Sequence, residues 1–323
     1  MKDWQIKALE YREQGLSSRK ICEKLGWRKT QKSSVNDFFA RHDAEQQAVD
    51  VLLNKNQKIL YIDIEKTFAF SGHFSQWGVN LAQEAKLKES YILSFSYAWG
   101  DGDIHSEVLK AEAIRGDLLR SIVQNDVTTD IDFDLVLKIW HLLDQANVVV
   151  AHNGRGYDIK EINAAFLRYN LPLPSPYKVI DTLSIAKKMF RTPFKSLKYL
   201  AQYLNVTQKI SNDGNKFWKL ASIGYSDEIL EEMAAYNRGD IQTLREVYLK
   251  LRGYSNDGVN LATFNDSSEL ACPNCGHHNV SKLNKLATTT RYQYEAYRCG
   301  NCGAVSRATN LRGETKALTT VSK

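Results

Sequence analysis

"ILYIDIEKT", residues 59–67, is an apolar run that ends on two carboxylates, Asp63 and Glu65, one residue apart. Residues i and i+2 of a strand share a face, so both acids point the same way at the end of a segment that reads as buried. Two carboxylates roughly 4 Å apart repel by about 4 kcal/mol at an effective dielectric of about 20. A buried pair therefore needs a cation, a shared proton or water. Read alone, the stretch also fits a frayed strand end with both acids solvated, and only partners elsewhere in the chain decide between the two.

The surrounding sequence alternates strands and helices. "KILYIDIE" and "YILSFSYAWGDGDIHSEVL" predict strands, and the Gly/Asp turn at 100–103 predicts a hairpin. A helix over about 132–145 ("DFDLVLKIWHLLDQ"), the strand "NVVVAHN", the helix "IKEINAAFLRYN", the strand "YKVIDTL" and several helices to Gly253 follow. A hairpin leading into β-α-β-α predicts a mixed sheet flanked by helices, an α/β domain over 58–253. No internal repeat or low-complexity stretch interrupts it.

Two smaller segments flank this domain. Residues 1–42 predict three short helices: Gly15 breaks the first, Ser17 is placed to N-cap the second, Gly26 turns the chain, and the third runs from about Gln31 to Arg41. The second and third resemble the DNA-binding ends of resolvases and related trihelical domains, a helix-turn-helix arrangement. Lys29, Lys32, Ser33, Ser34 and Asn36 then fall on or near the reading helix. A structural or protein-docking helical module is the alternative. After a linker at 43–57, the domain, and a second linker at 254–270, "CPNC" and "CGNC" bring Cys272, Cys275, Cys299 and Cys302, the pairs separated by 23 residues. Two C-x2-C knuckles joined by a β-rich stretch predict a zinc ribbon over 271–310 holding one structural Zn²⁺, followed by a tail at 311–323. Cys22 is the only other cysteine and reads as a buried helix residue. In the ribbon, Arg291 and Tyr292 belong to a set of interleaved rings and cations suited to nucleic acid.

Charge separates the same three segments. Residues 1–41 carry ten Lys/Arg against five Asp/Glu, residues 271–323 eight against two, and the middle 25 against 30. Basic ends suit a polyanion, and an acidic middle suits a metal held on carboxylates. With 43% apolar and 25% charged residues the 323-residue chain reads as globular. No run approaches the 18 or so apolar residues of a membrane span, and "MKDWQIKALEYREQG" has no apolar signal core. The expected location is cytoplasmic, with no membrane partner.

The partners of Asp63 and Glu65 come from two distant stretches. "AHNGRGYDIKEIN" ends a strand at Asn153, turns through glycines, and places Tyr157 and Asp158 at the start of a helix. "MAAYNRGDIQTL" puts Tyr236 and Asp240 four apart on one helix face. Taken singly, Asp158 reads equally as a helix N-cap and Asp240 as a solvated acid.

D-x-E, N-x3-Y-D and Y-x3-D, in that order, resemble the three motifs of the DnaQ-like (DEDD) 3′–5′ exonucleases. The resemblance covers about residues 58–252, and the tyrosine of the third motif places it in the DEDDy branch. It implies a ribonuclease H-like fold and two Mg²⁺ or Mn²⁺ ions on Asp63, Glu65, Asp158 and Asp240, the arrangement that hydrolyses phosphodiesters. It further implies that Tyr236 orients the attacking water and that Asn153 and Tyr157 shape the site. Lys66 departs from the small hydroxyl residue that many members carry, at a position beside the substrate's 3′ end. Asn237 stands where several relatives carry cysteine, a change read as neutral.

Other readings are open. Asp181 before a helical run reads as an N-cap, with a fifth metal-site acid as the alternative. Phe68, Phe70, Phe74 and Trp77 suit either stacking on a terminal base or core packing, and Lys195, Lys198 and Trp218 either touch substrate or do nothing specific. The leading expectation is a 3′–5′ exonuclease whose nucleic-acid substrate is DNA rather than RNA. A transposase- or integrase-like enzyme is the alternative, but it expects acids in the order D, D, E. A non-catalytic DNA-binding regulator is the other, and the presence of all four acids argues against it.

Overall fold

The structure is a computed structural model and describes residues 3–14, 16–28, 31–39, 57–72, 85–208, 215–265, 269–288, 293–308 and 318–320. The chain divides into two compact units, Met1–Lys55 and Asn56–Lys323. Lys29, Phe74, Trp77, Arg291 and Tyr292 lie outside the described residues.

In the first unit, α1 (Asp3–Glu13), α2 (Ser18–Lys24) and α3 (residues 32–39) enclose Ala8, Ile21, Cys22, Val35, Phe38 and Phe39. Gly26 takes φ +72° just past α2, a left-handed turn that favours glycine. Trp4 meets Phe38 edge-on at 5.2 Å, so aromatic packing supplies much of this small core. Lys32, Ser34 and Asn36 are exposed on α3.

In the second unit, a five-stranded sheet has the order β5-β4-β1-β6-β7. Its strands are β1 (Ile59–Lys66), β4 (Ile92–Trp99), β5 (Ile104–Val108), β6 (Val148–Ala151) and β7 (Lys178–Asp181), while β2 (Phe70–Ser71) and β3 (Lys86–Lys88) pair separately. β1 runs antiparallel to β4 and parallel to β6, making the sheet mixed as expected. The hairpin turn falls at Gly100, with φ +48°.

Alternation along β1 sends its side chains into two different cores. Leu60, Ile62 and Ile64 pack against Leu135, Val136, Ile139 and Leu143 of α5 (Phe133–Gln145), and against Ile162 and Phe166 of α6 (Asp158–Arg168). Tyr61 packs on the opposite face with Ile241, Leu244 and Tyr248 of α10 (Asp227–Leu251). Asp63 and Glu65 share the face of Tyr61 and so point towards α10. Opposite them in register stand Ser96 and Ser94, both fully buried. Side chains this small leave room for α10 to cross close above the acids.

Three helices complete this face: α7 (Thr182–Met189), α8 (Leu197–Tyr203) and α9 (Asn215–Ser222). Helix α4 (Ala111–Gln124) was not expected from sequence. It buries Ala111 and Ile114 but exposes Leu119, Ile122 and Val123, so its apolar residues spread over both sides and leave no one-sided period to read. Asp117 of α4 forms a buried ion pair with Lys88 of β3 at 2.6 Å.

One 3-10 turn (Arg252–Tyr254) leads into the stretch read as a linker, a second (Leu261–Phe264) lies inside it, and Leu261 joins the α10 core. The C-terminal sheet follows, in the order β13-β12-β11-β8: β8 (Val280–Lys282), β11 (Ala296–Cys299), β12 (Val305–Ala308) and β13 (Leu318–Thr320). A short pair, β9 (Ala287–Thr288) and β10 (Gln293–Tyr294), lies beside it in sequence. Among the described residues no helix is long and apolar enough to cross a membrane.

Candidate active site

Asp63, Glu65 and Asp240 each place a carboxylate oxygen within 4.8 Å of the others. β1 supplies two of them through its period of two, and α10 lays Asp240 over them. Charges this close repel by about 3 kcal/mol per pair at a dielectric of about 20. Three convergent hard oxygen donors fit a divalent cation such as Mg²⁺ or Mn²⁺.

Asn237 follows Tyr236 on α10. It is fully buried, and its Nδ2 donates to Asp63 Oδ2 at 2.7 Å, fixing the carboxylate's orientation. The sequence reading took this residue as neutral. A usable signal was present: Met233, Ala234, Asn237, Asp240, Ile241 and Leu244 recur at helical spacing on the buried face, and a polar residue there needs a partner.

Asp158 opens α6 and is 3% exposed, with Oδ1 accepting from Ile64 N at 3.3 Å. β1 and β6 pair only through Tyr61, so this carboxylate serves an amide that the diverging strand no longer reaches. Burial raises its pKa to about 6, with Asp181 and Glu161 adding repulsion and the amide bonds opposing. Its folded pKa exceeds that of an unfolded carboxylate, so the folded protein holds the extra proton. The metal-free protein is expected to lose stability as pH rises from about 4 through about 6. Asp158 lies outside the group formed by Asp63, Glu65 and Asp240; were it a further ligand, divalent-ion affinity would weaken as pH falls below about 6, because the proton would compete with the cation. Calorimetric titration with Mn²⁺ on either side of that value checks the sign, and stronger binding in acid would contradict it.

The turn before Asp158 is organised by Asp181. Its carboxylate accepts from Leu183 N and Ser184 N, as an N-cap should, and also from Asn153 N at 3.0 Å and Arg155 N at 3.3 Å. Asp181 thus ties α7 to the β6–α6 loop. Asn153 takes φ +67°, and its carbonyl accepts from Gly156 N and Tyr157 N, so its backbone makes the turn while its side chain is exposed. Tyr157 is 43% exposed. Its pKa is pushed up to about 12 by burial and then by Glu161, Glu65, Asp158 and Asp63, which keeps the phenol protonated at neutral pH.

Tyr236 is half-buried and meets Trp218 of α9 edge-on at 5.9 Å. Lys66 follows a bulge at the end of β1 and forms an ion pair with Glu161, one turn into α6. The pair borders a cavity of ≈ 370 Å³ that Ser90, Tyr91 and Arg168 also line. Phe68 is exposed, and its amide donates to Ser222 Oγ at 3.1 Å.

The four cysteines of the C-terminal unit form a second cluster, their sulfurs all within 4.8 Å of one another. Cys272 Sγ lies 3.6 Å from Cys302 Sγ, and Cys275 Sγ 3.6 Å from Cys299 Sγ. A disulfide needs about 2.05 Å, whereas Zn–S bonds of about 2.3 Å in a tetrahedron place sulfurs about 3.8 Å apart. The spacing fits zinc. Gly276 and Gly303 take φ +72° and +75° at the two knuckles. His277 Nδ1 accepts from Asn279 N instead of joining the cluster. On the strands of this segment, Lys282 and Tyr297 are both engaged by Glu295, and Tyr294 lies under Arg307 at 4.1 Å.

Residues 113–252 match the sequence model of the RNase_H superfamily. The mixed sheet flanked by helices agrees with that fold, although the match begins after β5 and leaves out the strand carrying Asp63 and Glu65. No curated protein matches the chain. Among solved structures, the family B DNA polymerase of the hyperthermophilic archaeon Pyrobaculum calidifontis is similar at 13% identity and a TM-score of 0.41, over 74% of this chain and 32% of the polymerase. The chain thus spans about a third of that polymerase's length.

Proposed function

We propose that the chain is a metal-dependent 3′–5′ exonuclease acting on nucleic acid, with DNA as the favoured substrate. The observation that carries this reading is the convergence of Asp63, Glu65 and Asp240 under α10, with Asp158 at the adjoining end of β1. Asp63, Glu65, Asp240 and Asp158 would hold two divalent cations, which would supply neutralisation of phosphate charge and a lower pKa for the attacking water. The chain's own residues do the rest: Asn237 fixes Asp63, Asp181 fixes the loop before Asp158, and Tyr236 orients water through its hydroxyl. Lys66 and Tyr157 border the place of the terminal nucleotide. The cysteine cluster holds one structural zinc, and the basic first unit and ribbon, with Lys29, Lys32, Ser34, Arg291 and Tyr292, hold the polyanion.

The test is direction and substrate. With Mg²⁺ or Mn²⁺, 5′-labelled single-stranded DNA should give a ladder of one-nucleotide steps while 3′-labelled DNA releases mononucleotide at once. Internal fragments of fixed length would instead indicate an endonuclease or a strand-transfer enzyme, and RNA substrates run in parallel decide the sugar preference.

Tyr236→Phe keeps the ring against Trp218 and removes only the hydroxyl. Turnover is expected to fall about 10²-fold with divalent-ion binding retained. Loss of ion binding in this variant would give the tyrosine a structural role.

A further inference from the structure

Residues 182–208 contain Lys187, Lys188, Arg191, Lys195 and Lys198 but no Asp or Glu, inside a central segment that is acidic overall. The stretch covers α7, the loop after it and α8. Helix α8 buries Leu197, Leu200 and Ala201 against the α10 core, so Lys198, Tyr199 and Tyr203 fall on its outer side. Phe194, Tyr199 and Tyr203 form a row of rings with centroids 5.5 and 6.0 Å apart. Its two ends are open: Phe194 is 67% exposed and Tyr203 63%. Lys187, Lys188, Arg191 and Lys198 of the same stretch are exposed. Glu246, a carboxylate that reaches the end of the stretch, is engaged by Thr207 N and Oγ1 at 2.8 and 2.7 Å.

Cations for which no ion pair is found among the described residues, in one stretch with open ring faces, fit a polyanion that also offers flat surfaces. Single-stranded nucleic acid has both, phosphates for the cations and unpaired bases for the rings. A duplex hides its base faces, and an acidic peptide has none. We propose that this α7–α8 face is a contact for single-stranded nucleic acid beyond the catalytic acids, a proposal that rests on the nuclease reading above. Helix α7 starts at Asp181, which anchors the loop before Asp158, and at about 1.5 Å per residue its eight residues span about 12 Å. A nucleotide at the acids does not cover that length, whereas a longer strand reaches both places.

The full chain tests this with two probes: an oligothymidylate, bound in chelator across a salt series, and the p-nitrophenyl ester of thymidine 5′-monophosphate, hydrolysed with Mn²⁺. Phe194→Ala/Tyr203→Ala is expected to weaken oligothymidylate binding about tenfold or more, with the salt slope kept. Arg191→Gln/Lys198→Gln should lower the salt slope by about one. Ester turnover and melting temperature should match wild type in both, since the four side chains are exposed. Unchanged oligothymidylate affinity in the ring variant would overturn the proposal. So would an equal loss of affinity for polyglutamate, which would mark a site for acidic protein. A wild-type chain that hydrolyses neither the ester nor, once Mn²⁺ replaces the chelator, the oligothymidylate would defeat the nuclease reading, while the binding series still judges this face.

Discussion

Asp63→Asn and Asp240→Asn are each expected to reduce hydrolysis roughly 10³-fold or more, because each removes one of the charges that hold the divalent ions. Asparagine is the informative replacement. At position 63 it preserves an acceptor for Asn237 Nδ2, whereas alanine would orphan a fully buried amide at about 1–3 kcal/mol. Removing one of three crowded negative charges also relieves repulsion. The metal-free variants should therefore melt at or above the wild-type temperature while failing to turn over. Wild-type rates in either variant, purified free of contaminating nuclease, would sink the assignment of the site.

Zinc loss is expected to have the second large effect, and to reach beyond the ribbon. Asn274 of the first knuckle donates to Arg252 O at 2.7 Å and Ser255 O at 2.9 Å, at the end of α10. Gly253 lies so close to the Cys302 carbonyl that a Cβ there would overlap it. Gln57, just before β1, reaches Asn265, which in turn bonds Gly276 O at 2.7 Å. A structural Zn²⁺ contributes folding free energy directly, so Cys272→Ser/Cys275→Ser should release these contacts with α10. At about 1 kcal/mol for each bond lost, the main unfolding transition should fall by roughly 5–10 °C, alongside loss of about one zinc per chain by elemental analysis. A variant without zinc that melts at the wild-type temperature would show that the ribbon does not brace α10.

Much of the α/β body was legible because its elements have short, strict periods. β1 announced itself by alternation, the β4–β5 hairpin by its Gly/Asp turn, and the helix of Tyr236 and Asp240 by their four-residue spacing, though not its full length of 25 residues. The cysteine pairs were legible because two C-x2-C knuckles have few uses in such a chain. α4 was not, since apolar residues on both of its sides obscure the helical period. Nor was the packing of residues 254–265, whose Asn, Asp, Ser and Gly content reads as a linker until Leu261 is seen in the core.

By itself, the sequence determined which residues carry carboxylates and thiols, and which of them share a strand face or a helix face. Those are properties of local backbone geometry, and they need no partner. Only the tertiary structure decided that β1's acids meet Asp240 beneath α10, that Asn237 grips Asp63, and that Asp181 organises the Asp158 loop from 23 positions further along the chain. These pairings join residues far apart in sequence. They form because small Ser94 and Ser96 let α10 cross close above β1, and because buried amides and carboxylates left without water must find each other.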